Sequence, residues 1–597
     1  MTTTTENLNS QFPDLEWYKM PAPQEHPQYT YDGFQPGLTI LKKGHTRSPD
    51  RRAFAAETIF ERDVSITMRD GIKIYTDVFR PAGLEAGVRV PAILPWSPYG
   101  KSGTGVQDYA RMAPFRVGLG LEQTSGYEKF EGPDPADWTH RGYAIINVDA
   151  RGAGRSEGNI VFWGQQEAED IYDTISWISQ QPWCNGSVGM AGNSWLSIAQ
   201  INFASRLEHP ALKALAPWEG RNDIYRDSLV RGGRKHNPGL HKFLLAGFAG
   251  PNAAENMPAM INKRPLFDDY WASKYIHTEN INVPIYIVGS YSSQLHSRGS
   301  FHTFRTAKSS QKWLRVHPYQ EWYDLYRPEI VDDLQNYFDR FLKNIDNGWD
   351  QNTPLVRLSL LGFEAGGGQV ESVRERPEQS WPLHRQALKT LYLDSATHTL
   401  QSSIPTTASS VSHSGESMEA TSDFTLYFDK YTEIAGYAKA SIWMSCKDHD
   451  DMDVAVQIRK ISKGGKPLEH LNYPCPVGIE QVPNVNTAKA LGPQGFLRAS
   501  HAVSKVDELS TKQEVFYKHD QREPIAPGSI VKLEITFWPM GMVFAPGEGL
   551  MLRVAGHDMC YPETDKIPPA SENNQNVGTH VVHTGGDYDS ALILPFI

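Results

Sequence analysis

The sequence predicts an α/β doubly wound sheet with a helical cap insertion, followed by an all-β domain of the jelly-roll kind. Three observations predict it. Apolar runs without strict alternation, from Val90 to Trp96, Tyr143 to Asp149 and Val283 to Gly289, read as strands buried on both faces of a sheet. A segment of helical spacing, Ala168 to Gln180, separates the second of these from another apolar run. Beyond about residue 425, short strand-like runs follow one another through Gly, Pro and Asp turns with no helix between them.

With 597 residues, the chain exceeds what one hydrophobic core usually supports, so more than one domain is expected. Lys and Arg total 58 against 69 Asp and Glu, a net charge of −11 with no basic run, which argues against nucleic acid and anionic membranes as partners. The four cysteines (Cys184, Cys446, Cys475, Cys560) form no CxxC pair or zinc-like spacing. The first residues lack the basic start and apolar stretch of a signal peptide, and no later run is long enough to span a membrane. A soluble, cytoplasmic protein is the expectation.

In chain order, residues 1–55 are rich in Pro, Gln, Thr and aromatics and read as an arm without regular elements, wrapped on the first domain or on a second copy in a homodimer. A first domain is expected over residues 56–365. It opens on a β-hairpin, two alternating runs from Val64 to Pro81 about Asp70-Gly71. The strands and helix named above follow, with Ile171, Ile175, Trp177 and Ile178 on the apolar side of the helix. From about 207 to 279 the alternation stops, and polar, aromatic and glycine-rich text reads as the cap. The sheet resumes through Val283 to Gly289 and Lys312 to Val316, and a helix with Phe338, Phe341 and Leu342 closes the domain. Residues 366–425 read as a linker and 426–597 as the β domain, with strands near 438–444, 453–461, 530–537 and 550–554. The run Asp448-His449-Asp450-Asp451-Met452-Asp453 lacks the glycine placement of a calcium loop and reads as a solvated turn.

The stretch that carries chemistry is Gly192-Asn193-Ser194-Trp195-Leu196, where an apolar run meets a tight turn and a helix. A glycine two residues before a serine, between strand and helix, is what a nucleophile elbow requires, because the sharp turn leaves no room for bulk and projects the hydroxyl over the sheet. Leu196 holds the place of the usual second glycine. A serine capping a helix start is the other reading.

Several motifs then agree in order and spacing. Met68-Arg69-Asp70-Gly71, Asp77-Val78-Phe79-Arg80-Pro81, Ser97-Pro98-Tyr99, Arg141-Gly142-Tyr143, the glycine-rich text from Asp149 to Gly158, and Gln181-Pro182-Trp183-Cys184-Asn185-Gly186 lead into the elbow. Together they resemble the cocaine-esterase and X-Pro dipeptidyl-peptidase family of α/β-hydrolases. Gly495-Phe496-Leu497-Arg498-Ala499-Ser500 resembles a signature of that family's jelly-roll domain, so the resemblance covers roughly residues 60 to 597. It implies Ser194 as nucleophile, with the Tyr99 hydroxyl and the Trp195 backbone N–H as oxyanion donors. It implies no metal or organic cofactor.

The chain departs from the family pattern at the other two triad positions. Ser293 stands where the resemblance places the acid, and in His317-Pro318-Tyr319-Gln320-Glu321 the glutamate stands where it places the histidine. Three accounts follow. In the first, the loops have exchanged roles, so that His296 is the base and Glu321 its carboxylate partner. In the second, His317 is the base with Glu321 or Asp324 behind it. In the third, hydrolysis is lost and the pocket guides an elimination or cyclisation on a small molecule. The first is our expectation: a serine hydrolase or acyltransferase acting on an ester or amide of a small molecule, with a cyclase or lyase as the alternative. Trp195, Trp218, Trp322 and Tyr291 are candidate pocket aromatics. X-Pro aminopeptidase action is disfavoured because no site for a substrate amino group is identifiable.

Overall fold

The computed structural model describes residues 5–31, 33–85, 87–236, 238–567 and 576–597. Twelve strands form the first sheet. From one edge their order is Val373–Glu378, Val356–Leu360, Lys312–His317, Ile285–Ser290, Leu212–Trp218, Cys184–Asn193, Val90–Ile93, Ala144–Asp149, Lys73–Pro81, Thr58–Thr67 and Gly37–Leu41, and Trp96–Ser97 also pairs with Ala144–Asp149. The central strands run parallel, which requires crossovers, and their residues are buried almost without interruption because helices cover both faces.

The helix of the central crossover spans Gln165–Ser179 and packs against Trp195–Arg206. The closing helix, Pro328–Leu342, lies so close to strand Cys184–Asn193 that a Cβ at Gly189 would meet Leu342 Cδ1 and Phe338 Cε1, each at 2.9 Å. The hairpin pairs Thr58–Thr67 with Lys73–Pro81 about Gly71, whose φ of +85° suits glycine.

Three expectations about boundaries need correction. The arm holds regular elements: Trp17–Lys19 pairs antiparallel with Ala253–Glu255 of the cap, and Gly37–Leu41 adds an edge strand to the main sheet. Prolines flank these strands without interrupting them. Residues 1–4 and 32 of the arm lie outside the described residues. The expected cap start at 207 is too early, because Leu212–Trp218 is a central strand; the insertion begins after it and carries the helices Pro238–Ala246, Met257–Lys263 and Asp269–Lys274. The supposed linker 366–425 contains Val373–Glu378 at the edge of the first sheet, then Ala387–Asp394, Thr399–Gln401, Ser409–Ser414 and Ser422–Tyr427 in the second. Its Ser, Thr and Gln residues lie on half-exposed strands, where composition resembles that of a loop.

The second sheet has thirteen strands and builds a mostly-β domain around its own core, including Phe424, Ile442, Val456, Leu533, Leu552 and Leu594. The acidic turn is partly structural: Asp453 is buried and binds Arg498 at 2.6 Å, and Asp451 accepts the Ser500 hydroxyl at 2.6 Å, while Asp448 and Asp450 face solvent. All four cysteines are free. Among the described residues no helix is long and apolar enough to cross a membrane.

Two loops of the β domain brace the first domain. Asn486 donates from Nδ2 to the Ser292 carbonyl at 3.1 Å, and the Gln320 N–H donates to the Asn472 carbonyl at 2.8 Å. The His470 ring stands 2.7 Å from the Pro318 carbonyl through Nε2. These contacts hold the two loops at the C-terminal ends of Ile285–Ser290 and Lys312–His317.

Candidate active site

Ser194 lies at the junction of strand Cys184–Asn193 and helix Trp195–Arg206 with φ 54° and ψ −119°, a conformation that costs about 1–3 kcal/mol for a residue with a Cβ. Its surroundings hold it there. The Ser194 N–H donates to the Glu219 carbonyl at 3.0 Å, and the Asn193 N–H donates to the Glu131 carbonyl at 3.0 Å. A Cβ at Gly192 would lie 2.5 Å from Leu196 Cδ2 and 2.7 Å from the Glu131 carbonyl oxygen, so glycine is required. Leu196 is tolerated at the other elbow position because its side chain fills the space that Gly192 and Gly132 leave open.

Tyr99 faces the serine. Burial, then the nearby Glu131, push its hydroxyl well above the usual phenol range, against the pull of Arg221 and of the Ser194 hydroxyl. It therefore stays a proton donor. Its ring packs edge-on to Phe130 and to Trp195, with centroids 6.0 Å away in each case. Trp195 is the first helical residue, so its backbone N–H is among the donors that a helix start leaves unpaired. Its side chain points away from the serine: the indole Nε1 donates to Glu167 at 3.0 Å, and the ring packs 4.9 Å from Trp163.

The exchanged loops meet. His296, the residue before helix Ser297–Thr306, places Nδ1 2.9 Å from Oε2 of Glu321, which opens the short helix Glu321–Leu325. The Gln320 side chain caps that helix by accepting from Trp322 N–H at 2.6 Å. His296 Nδ1 also stands 3.3 Å from the Ser293 hydroxyl, while Nε2 is buried and bonds nothing among the described residues. Ser293 thus touches the histidine as a hydroxyl, in a place where the resemblance implied a carboxylate. Burial pushes the His296 imidazole down to about 3, with Arg221 adding to the effect. Burial also pushes the Glu321 carboxyl up to about 8, against His317 and Arg221. Burial thus disfavours the charged form of each group in the pair.

His317 belongs to a different group. Its Nδ1 accepts from the Tyr319 N–H at 3.2 Å and its Nε2 faces Glu219 Oε1 at 3.1 Å, with Asp324 Oδ2 at 3.8 Å. Asp324 is itself held by buried Arg315. Both ring nitrogens are engaged, and the ring does not line the pocket, so the second account lacks a base that reaches the serine. Ligand atoms of Glu219, His296 and Glu321 lie within 4.8 Å of one another. Because Glu219 already pairs with His317, and Glu321 with His296, these groups serve one another and make a poor open metal centre.

Ser194, Tyr99, His296 and Glu321 line one pocket of about 710 Å³, part of it open to solvent. Cap residues Leu240 and Leu244 and β-domain residues Asn472, Asn486, Thr487, Glu563 and Thr564 complete its wall. Of the four aromatic candidates only Trp322 lines it. Trp218 packs on Tyr286, and Tyr291 stacks on Phe301. The sequence reading missed four charged residues: Glu131, Glu219, Arg221 and Glu563. Glu131 has φ 70° and a buried Oε2 without a hydrogen-bond partner among the described residues, while its Oε1 accepts from Trp322 Nε1 at 2.9 Å. Arg221 and Glu219 lie only a few residues beyond strand Leu212–Trp218, next to the elbow in the sheet, and that adjacency was the available signal. No local pattern marks Glu131 or Glu563, because chain crossings bring them in.

Residues 70–257 match the model of the X-Pro dipeptidyl-peptidase (S15 family), and residues 347–593 that of the X-Pro dipeptidyl-peptidase C-terminal non-catalytic domain. A cocaine esterase of Rhodococcus sp. is 35% identical over 164 residues, 28% of this chain and 24% of that protein. The matches span about a quarter of the length of the first curated relatives. The crystal structure of a CocE/NonD family hydrolase from Staphylococcus aureus is 30% identical with a TM-score of 0.83, covering 97% of this chain and 100% of that one. An α-amino acid ester hydrolase, 17% identical with a TM-score of 0.67, shares the fold over 90% of this chain and 97% of its own. On the full-length match, and with an α/β sheet followed by a mostly-β domain, this chain belongs to the CocE/NonD family of α/β-hydrolases.

Proposed function

We propose that the protein hydrolyses an ester or amide of a small molecule through Ser194. The observation that carries this reading is the convergence of a strained serine, a protonated tyrosine and a histidine–glutamate pair on one pocket. With Glu321 ionised, its carboxylate accepts the Nδ1 proton of His296 and leaves the Nε2 lone pair free. Nε2 takes the Ser194 proton, directly after a turn of the hydroxyl or across one water, as the oxygen attacks the carbonyl carbon. The oxyanion is held by the Tyr99 hydroxyl and the Trp195 N–H, both oriented before reaction. The proton then passes from His296 to the leaving alcohol or amine, and water, or a second acceptor in acyl transfer, cleaves the acyl-enzyme.

The pairing of His296 with Glu321 supports the exchanged assignment of base and acid. The four free cysteines support a reducing compartment, the cytoplasm. A fluorophosphonate probe and a chromogenic 4-nitrophenyl ester test the reading together. Labelling and turnover by the native protein, both abolished in Ser194→Ala, are expected. Turnover that survives the substitution overturns the serine mechanism and favours a cyclase or lyase. Glycyl-prolyl 4-nitroanilide serves as the peptidase control, and rapid turnover of it would move the substrate class to X-Pro peptides.

A further inference from the structure

Arg221 is a charged pocket residue that the mechanism leaves unused. It is 4% exposed, lines the pocket and forms no ion pair among the described residues; Nε and Nη1 are buried without hydrogen-bond partners. Asp227, the acid with the largest influence on it, is already bound by Arg298. The guanidinium lies over the Trp163 ring at 5.7 Å from the centroid, and that ring packs on Trp195, the neighbour of the nucleophile. Its backbone is clamped as well, since a Cβ at Gly299 would lie 2.2 Å from Arg221 Cα.

A buried cation without a counter-ion costs several kcal/mol, so such a residue needs a reason to be there. The pocket carboxyls do not supply the missing anion. Burial pushes Glu563 and Glu321 each up to about 8, and Glu131 well above the usual carboxylate range. Burial thus disfavours the ionised form of all three, none of them stands within ion-pair distance of Arg221 among the described residues, and the guanidinium is left without a partner on the wall. A singly charged, planar oxyanion matches one guanidinium, whereas a phosphate dianion would leave charge unbalanced beside three glutamates.

We propose that Arg221 receives a carboxylate of the substrate, so that the site takes esters or amides bearing a free carboxylate a few bonds from the scissile carbonyl. The inference rests on Ser194 as nucleophile only for the position of that bond. The charge is recognised at the wall while the neutral carbonyl is delivered to Ser194 and Tyr99. Discrimination is strong because an uncharged analogue leaves the buried N–H groups unpaired.

Two matched pairs test it: 4-nitrophenyl hydrogen glutarate against 4-nitrophenyl pentanoate for a carboxylate on the acyl side, and 3-acetoxybenzoate against phenyl acetate for the leaving side. In one pair the carboxylate form should have the higher kcat/KM by about tenfold or more, and that ratio should fall by about tenfold or more in Arg221→Met, with Arg221→Lys in between. Calorimetric titration provides a readout free of turnover, and its comparison on the native protein is free of any variant's folding. Glutarate should bind the native protein with glutaramide binding at least tenfold more weakly, and Arg221→Met should lose the difference. Equal or reversed preference in both ester pairs, together with equal binding of glutarate and glutaramide, overturns the proposal. Failure of the fluorophosphonate to label Ser194 would overturn the hydrolase reading while the titration still reports on Arg221.

Discussion

Nδ1 of His296 stands 2.9 Å from Oε2 of Glu321, although these residues come from loops whose contents are exchanged relative to the pattern the sequence resembles. A base and its carboxylate need to meet in space, and the loops that follow neighbouring parallel strands reach the same end of the sheet. Either loop can therefore supply either group.

The pair should act as a unit. His296→Ala and Glu321→Gln should each lower kcat for a 4-nitrophenyl ester by about a hundredfold or more, and the double variant should lose little beyond the worse single one. Steady-state kinetics on the three variants checks this. Multiplicative losses would mean that the two residues act separately.

The pH profile should be displaced to the alkaline side. While Glu321 holds its proton, its O–H donates to Nδ1 and the imidazole proton sits on Nε2, so nothing accepts from Ser194. Because burial pushes the Glu321 carboxyl up to about 8, the competent form appears as pH rises through that value. The ascending limb of kcat/KM should therefore centre near pH 8, and Glu321→Gln should abolish it. A limb near pH 6.5 would point instead to an ordinary exposed imidazole.

Tyr99→Phe removes one oxyanion donor without changing the ring packing on Trp195 and Phe130. It should cost about a hundred- to a thousandfold in kcat with KM nearly unchanged. A loss confined to KM would assign Tyr99 to ground-state binding.

Gly192→Ala tests the elbow. With φ at +131° and the new Cβ 2.5 Å from Leu196 Cδ2, the substitution should destabilise the fold by about 2–4 kcal/mol, read as a lowered midpoint in denaturant. Pairing it with Leu196→Ala should recover part of the loss. No recovery would place the strain in the backbone alone.

How far the site could be read in advance follows from where each residue's constraint lies. Ser194 was legible because an elbow is local: a glycine, a serine and a strand-to-helix transition lie within a few residues. Tyr99 was legible through its place in an ordered set of motifs. His296 and Glu321 could be named but not joined, since their pairing depends on the positions of two loops that the β domain braces through Asn486, Asn472 and His470. Glu131 and Glu563 left no usable pattern, because an isolated charged residue looks alike in sequence whether it faces solvent or a pocket.

By itself the sequence determined the class of each layer, since buried parallel strands and half-exposed β strands differ in their hydrophobic period, and it placed the elbow serine, since the turn's steric demand is met by adjacent residues. The tertiary structure alone decided which histidine pairs with the glutamate, that the supposed linker and arm contribute strands, and that the Arg221 guanidinium has no ion-pair partner among the described residues. Those outcomes depend on distances between segments far apart in the chain. Burial there sets both charge and reach, and burial is a property of the packed molecule.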